Sequence, residues 1–126
     1  MDMVEIGIGT ATEKDPYTVE LLDLWNEVGG QMKIVYHTTT ITLKKETLQE
    51  MRDNGFPTNI LSCIAAGFRV NGKSREELLA FVMEAEAAGV APSVTFEAAA
   101  GESLHIRGRE ENPITDSLVQ AICQYN

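Results

Sequence analysis

Seven of the eleven residues from Lys33 to Leu43 are β-branched, and this run constrains the fold more than any other stretch. A branched Cβ loses rotamer freedom in a helix but packs well on a pleated surface. The run therefore predicts one long strand, and with it a sheet. Alternation puts Val35, His37, Thr39, Ile41 and Leu43 on one face. Ile34, Tyr36, Thr38, Thr40 and Thr42 take the other, a threonine-rich face expected to meet solvent. A long strand of this kind has an edge that seeks a partner. Either a later hairpin of the same chain or a second copy would supply it.

Elsewhere the pattern switches between helical and strand periods. Val4 to Ile8 reads as a first strand. Asp15-Pro16 opens a helix with the stripe Leu21, Leu22, Trp25 and Val28, stopped at Gly29-Gly30. Glu46 to Asn54 suits a short helix with Leu48 and Met51 inward and Gly55 just past its end. Pro57 opens a third helix carrying Ile60, Leu61, Ile64 and Ala65 up to Gly67. Phe68-Arg69-Val70 then reads as a short strand before an Asn71-Gly72 turn. Ser74 and Glu77 are spaced as a capping box, followed by Leu78, Phe81, Val82, Ala85 and Ala88 as far as Gly89.

Ser93 to Ala98 and Ser103 to Arg109 alternate as a hairpin about Ala99-Ala100-Gly101, with Val94, Phe96, Leu104 and Ile106 inward. That register sets Glu97 diagonally opposite His105. Asn112-Pro113 starts a last helix with Ile114, Leu118, Val119 and Ile122. The expectation is a single compact α+β domain over residues 1–126. It has a largely antiparallel sheet of four to five strands, with helices mainly on one face.

A chain of 126 residues buries roughly two-thirds of its extended surface on folding, enough for a core without disulfides or metal. No apolar run reaches the roughly 20 residues of a membrane-spanning helix, and Met1-Asp2-Met3 does not read as a signal peptide. Cys63 and Cys123 lie in apolar helical patterns and read as buried thiols. With His37 and His105 they show no metal-ligand spacing, so no metal or other cofactor is expected. A cytoplasmic location follows from the reduced thiols and the missing signal.

The net charge is −9, which repels nucleic acid and anionic membranes. Its distribution is uneven: residues 1–30 carry −6, residues 31–75 carry +4 and residues 76–126 carry −7. A basic middle between acidic ends can hold an anion locally, or meet the acidic part of a second copy. That complementarity, with the edge of the Lys33–Leu43 strand, predicts a homodimer.

Two motifs bear on chemistry. Gly67-Phe68-Arg69-Val70-Asn71-Gly72-Lys73-Ser74 matches G-x-x-x-x-G-K-[ST]. In that pattern backbone N–H groups wrap phosphates, the lysine reaches outer phosphate oxygens and the hydroxyl holds magnesium. Gly67, Gly72, Lys73, Ser74 and Arg75 are accordingly the candidate phosphate or nucleotide ligands. Only 52 residues follow Ser74, too few for the further parallel strands of a P-loop NTPase. The segment Thr38 to Gly67 also resembles the strand–helix–helix order of a ribbon-helix-helix repressor. The resemblance implies that Thr38, Thr40 and Thr42 enter a DNA major groove as a ribbon shared by two subunits. The overall negative charge opposes that reading. His37, His105, Cys63, Glu97 and Asp116 could serve catalysis, but no spacing among them converges on a nucleophile–base pair.

By elimination the sequence points to a non-enzymatic, acidic binding protein of the inhibitor, immunity or adaptor type. Its partner would be a protein with a basic surface, approached through Glu20, Asp23 and Glu27 on the first helix and Glu77 and Glu84 on the long one.

Overall fold

The β-branched run does not go straight: it turns back on itself at His37-Thr38. In the computed structural model, which describes residues 3–6, 16–98, 101, 103–107, 117, 118, 120 and 121, Gln31–Tyr36 and Thr39–Ile41 are two antiparallel strands with Ile34 opposite Ile41 and Tyr36 opposite Thr39. A two-residue turn changes the parity of the alternation. Met32, Ile34 and Tyr36 are buried before it, and Ile41 and Leu43 after it. The face expected to be solvated is thus the core face as far as Tyr36, while Val35 is 43% exposed. His37 sits at φ 54°, a left-handed conformation that histidine takes far more readily than the β-branched residues around it.

In chain order the elements are β1 (Met3–Ile6), a 3-10 turn (Pro16–Thr18), α1 (Leu21–Val28), β2 (Gln31–Tyr36) and β3 (Thr39–Ile41). They continue with α2 (Lys45–Asp53), α3 (Ile60–Val70), α4 (Arg75–Ala87), β4 (Ser93–Glu97) and β5 (Ser103–Arg107). Ser117, Leu118, Gln120 and Ala121 are helical as well, and Leu118 is fully buried. The rest of the expected last helix lies outside the described residues, as do residues 7–15.

The strands form one sheet in the order β1-β5-β4-β2-β3. β5, β4, β2 and β3 run antiparallel to their neighbours, and β1 joins the β5 edge in parallel. The chain is a single-domain α+β fold. β2 is covered on one side by β4 and on the other by β3, so the first half of the Lys33–Leu43 run is paired within its own chain and β3 forms the sheet edge. The β4–β5 register matches expectation. Val94 faces Ile106, Phe96 faces Leu104, and Glu97 is diagonal to His105. Glu97 nonetheless pairs with Lys33 across the sheet at 3.5 Å, while His105 Nδ1 lies 2.8 Å from the Thr95 hydroxyl.

Helices cover the apolar face of this sheet. Trp25 meets Phe96 edge-on at 6.2 Å and Phe81 meets Tyr36 at 5.4 Å. Leu21, Leu22, Leu48, Ile60, Ile64 and Val82 fill the space between. Trp25 also donates its Nε1–H to the Gly30 carbonyl at 3.0 Å, which ties the end of α1 to the start of β2. Gly30 is obligatory there: its φ is +78°, and a Cβ would collide with the Glu97 carbonyl.

Two helix boundaries differ from the reading above. α1 starts at Leu21 rather than at Pro16, with the Leu21 N–H bound by the Thr58 carbonyl at 2.7 Å. α3 starts at Ile60 behind an Asn59 cap, whose Oδ1 accepts from the Ser62 N–H at 2.9 Å. α3 also runs on through Phe68-Arg69-Val70, expected as a strand, because Phe68 follows Ile64 on the buried face and packs on Phe81 at 5.4 Å. Asn71-Gly72 is its C-terminal cap. Lys73 N–H returns to the Phe68 carbonyl and Gly72 N–H to that of Arg69, the Schellman pattern.

Candidate functional site

The phosphate-loop match falls on a helix–turn–helix join. Its first four residues close α3, its Asn-Gly caps that helix, and Ser74 caps α4. Gly67 is buried against β3, where an added Cβ would strike Ile41 Cγ2. It permits close packing, not a phosphate cradle. The helix N-terminus beyond is also taken. The Glu77 carboxylate accepts the Ser74 N–H at 2.9 Å and the Ser74 hydroxyl accepts the Glu77 N–H at 3.1 Å. These bonds from Ser74, with Lys73 nearby, hold the Glu77 carboxyl below the usual carboxylate range. An arriving phosphate would meet a resident anion. Gly72, Lys73, Ser74 and Arg75 are all exposed.

The fold brings the α3–α4 turn against the β2–β3 turn, a juxtaposition absent from the sequence reading. Between them is a cleft of about 260 Å³, floored by Ile41, Phe68 and Phe81 and rimmed by Thr39, Asn71 and Lys73. His37 stands beside it, 5.7 Å from the Phe81 ring, with Nε2 3.4 Å from Glu84 Oε1. Locating this cleft from sequence would have required placing the hairpin turn at His37.

The acidic candidates separate into two kinds. Glu20 and Asp23 both reach Arg52, at 3.4 and 2.9 Å, and Glu20 also accepts the Thr58 hydroxyl at 2.7 Å. They hold α1 to α2 and to the residue before the α3 cap. Glu27 is exposed on α1. Glu77 is engaged as a cap, and Glu84 is 71% exposed beside His37. A feature that charge counting missed is Met83, 63% exposed on the outer side of α4. Glu76, Ala80 and Ala87 are exposed along the same helix at spacings that share a face with it, and the exposed Glu84 follows it directly.

The residues considered for catalysis lie apart. Cys63 is inside α3 with its thiol pushed well above the ordinary value by burial. His105 is on the sheet with Thr95, and Asp116 lies outside the described residues. Among the described residues no three His, Cys, Asp or Glu side chains group as metal ligands. For the DNA-binding reading, Thr38 is in the turn, and the three-residue β3 is already paired with β2 of its own chain. No helix of the described residues is long and apolar enough to cross a membrane. No protein-family description, curated protein or solved structure matches this chain.

Proposed function

We propose that this chain is a non-enzymatic acidic binding protein, acting in the cytoplasm, that lays the outer face of α4 on a basic surface of a protein partner. The observation that carries the reading is Met83, 63% exposed on a helix with four glutamates and only Arg75 as a basic residue. Methionine supplies adaptable apolar contact, and flanking carboxylates steer and select a basic partner. α4 has 13 residues, about 20 Å of presentable helix.

Affinity capture from an extract of the source cells tests this with the wild-type chain and a Met83→Asp/Glu84→Lys variant side by side. Both positions are exposed, so the variant should fold. A basic protein retained by the wild type, lost from the variant and released by salt is expected. Equal retention by both chains, or a complex indifferent to salt, overturns the reading.

A further inference from the structure

We propose that the cleft between the β2–β3 turn and the α3–α4 turn binds a small monocarboxylate with an aromatic or branched aliphatic body. The body lies on Phe68, Phe81 and Ile41, and the carboxylate meets the Lys73 ammonium. This site is separate from the α4 face proposed for the protein partner.

Three observations converge. The floor is apolar and stiff: Phe68 is buried, and its ring meets that of Phe81 at 5.4 Å. A few polar groups at the rim of an apolar hollow is the general build of a small-molecule site. The rim has one cation. Lys73 is exposed and forms no ion pair with a described residue, whereas Lys33 is held by Glu97 and Arg52 by Glu20 and Asp23. Thr39 and Asn71 add a hydroxyl and an amide beside it.

The charge count sets the ligand class. Glu77 lies close enough to Lys73 to feel its charge. One lysine beside one glutamate suits a single negative charge and disfavours a phosphate dianion. A hollow of about 260 Å³ is just under the range of drug-sized pockets, so the ligand is fragment-sized. The phosphate-loop lysine of the sequence match thus keeps an anion-binding role while its ligand changes.

Amide-resolved NMR titration of the full chain tests this with 3-phenylpropionate, its neutral amide 3-phenylpropionamide and inorganic phosphate. Expected is carboxylate binding with a Kd of about a millimolar, the range open to so few atoms, with shifts centred on Thr39, Asn71 and Phe81. Lys73→Gln, an exposed change that spares the fold, should weaken the carboxylate about fivefold to tenfold and leave acid and amide equivalent. Lys44→Gln, at another exposed lysine, should change nothing. No shift at about 10 mM carboxylate, an unaltered response in Lys73→Gln, or phosphate binding more tightly than the carboxylate would each overturn the proposal. None of these outcomes touches the Met83 and Glu84 variants, so the two sites stand or fall separately.

Discussion

The Glu20 carboxylate accepts the Thr58 hydroxyl at 2.7 Å, and the Thr58 carbonyl in turn accepts the N–H of Leu21 at 2.7 Å. Two residues 38 apart in sequence therefore close the start of α1 on the segment leading into α3. Thr58 is fully buried, so its hydroxyl has no water to fall back on. Thr58→Val and Glu20→Ala should each cost about 1 kcal/mol in urea unfolding. The double variant should cost less than their sum by roughly 0.5–1 kcal/mol. Strict additivity would show that the bond contributes nothing. Arg52→Ala removes only half-exposed ion pairs and should cost under about 1 kcal/mol.

Gly67 lies where α3 crosses β3, and its missing Cβ is the space that Ile41 Cγ2 fills. Gly67→Ala would normally strengthen a helix by roughly 1 kcal/mol. Here it should destabilise by about 1–3 kcal/mol through overpacking. In an Ile41→Ala background the obstructing atom is gone, and the same substitution should turn neutral or stabilising. Gly67→Ala that is stabilising in the wild-type background would refute this packing account.

What the residues disclosed in advance, and what they hid, follows from the range of the interactions. Helix ends are local: Ser74 with Glu77, and Gly55, Gly72 and Gly89 just past three helices, determine their own geometry. The β4–β5 register was legible because Val94, Phe96 and Ile106 alternate without interruption. The turn at His37 was not. Ile34, Val35 and the threonines read as one strand, and Val35 disguised the switch from even to odd buried positions. Asn71-Gly72 equally suits a hairpin turn and a helix cap, and only the packing of Phe68 on Phe81 decides between them. The Lys73 cleft needs both outcomes at once, so local pattern could not disclose it. The charge map found acidic residues but could not separate Glu20, bonded to Thr58 and Arg52, from Glu84 on the surface.

Cys63 is fully buried inside α3, and burial, with Glu20 as a lesser influence, drives its thiol well above the ordinary value. A thiol without thiolate is a poor nucleophile. In a Cys123→Ser chain at pH 8, a disulfide reagent should therefore modify Cys63 only as fast as the protein opens. Denaturant should accelerate the reaction in step with the unfolded fraction. Fast labelling of the folded chain would contradict the burial of this residue.

Tyr36 is wholly buried, and among the described residues its hydroxyl has no hydrogen-bond partner. Burial, then the charge of Glu86 and the neighbouring Tyr17, push its pKa up to about 12. The ordinary value of about 10 applies in the unfolded chain, so the folded state holds this proton more tightly. That contribution is complete below pH about 10 and is lost as the pH rises towards 12. The loss approaches roughly 1.4 kcal/mol per pH unit inside that window, one proton's worth. Tyr36→Phe keeps the ring on Phe81 and deletes an unsatisfied hydroxyl, so at neutral pH it should be neutral or slightly stabilising. Between pH 10 and 11.5 its stability should fall less steeply than that of the wild type, because the titrating group is gone. Urea unfolding of both chains across that range decides it, and parallel curves would mean that Tyr36 does not titrate as its burial requires.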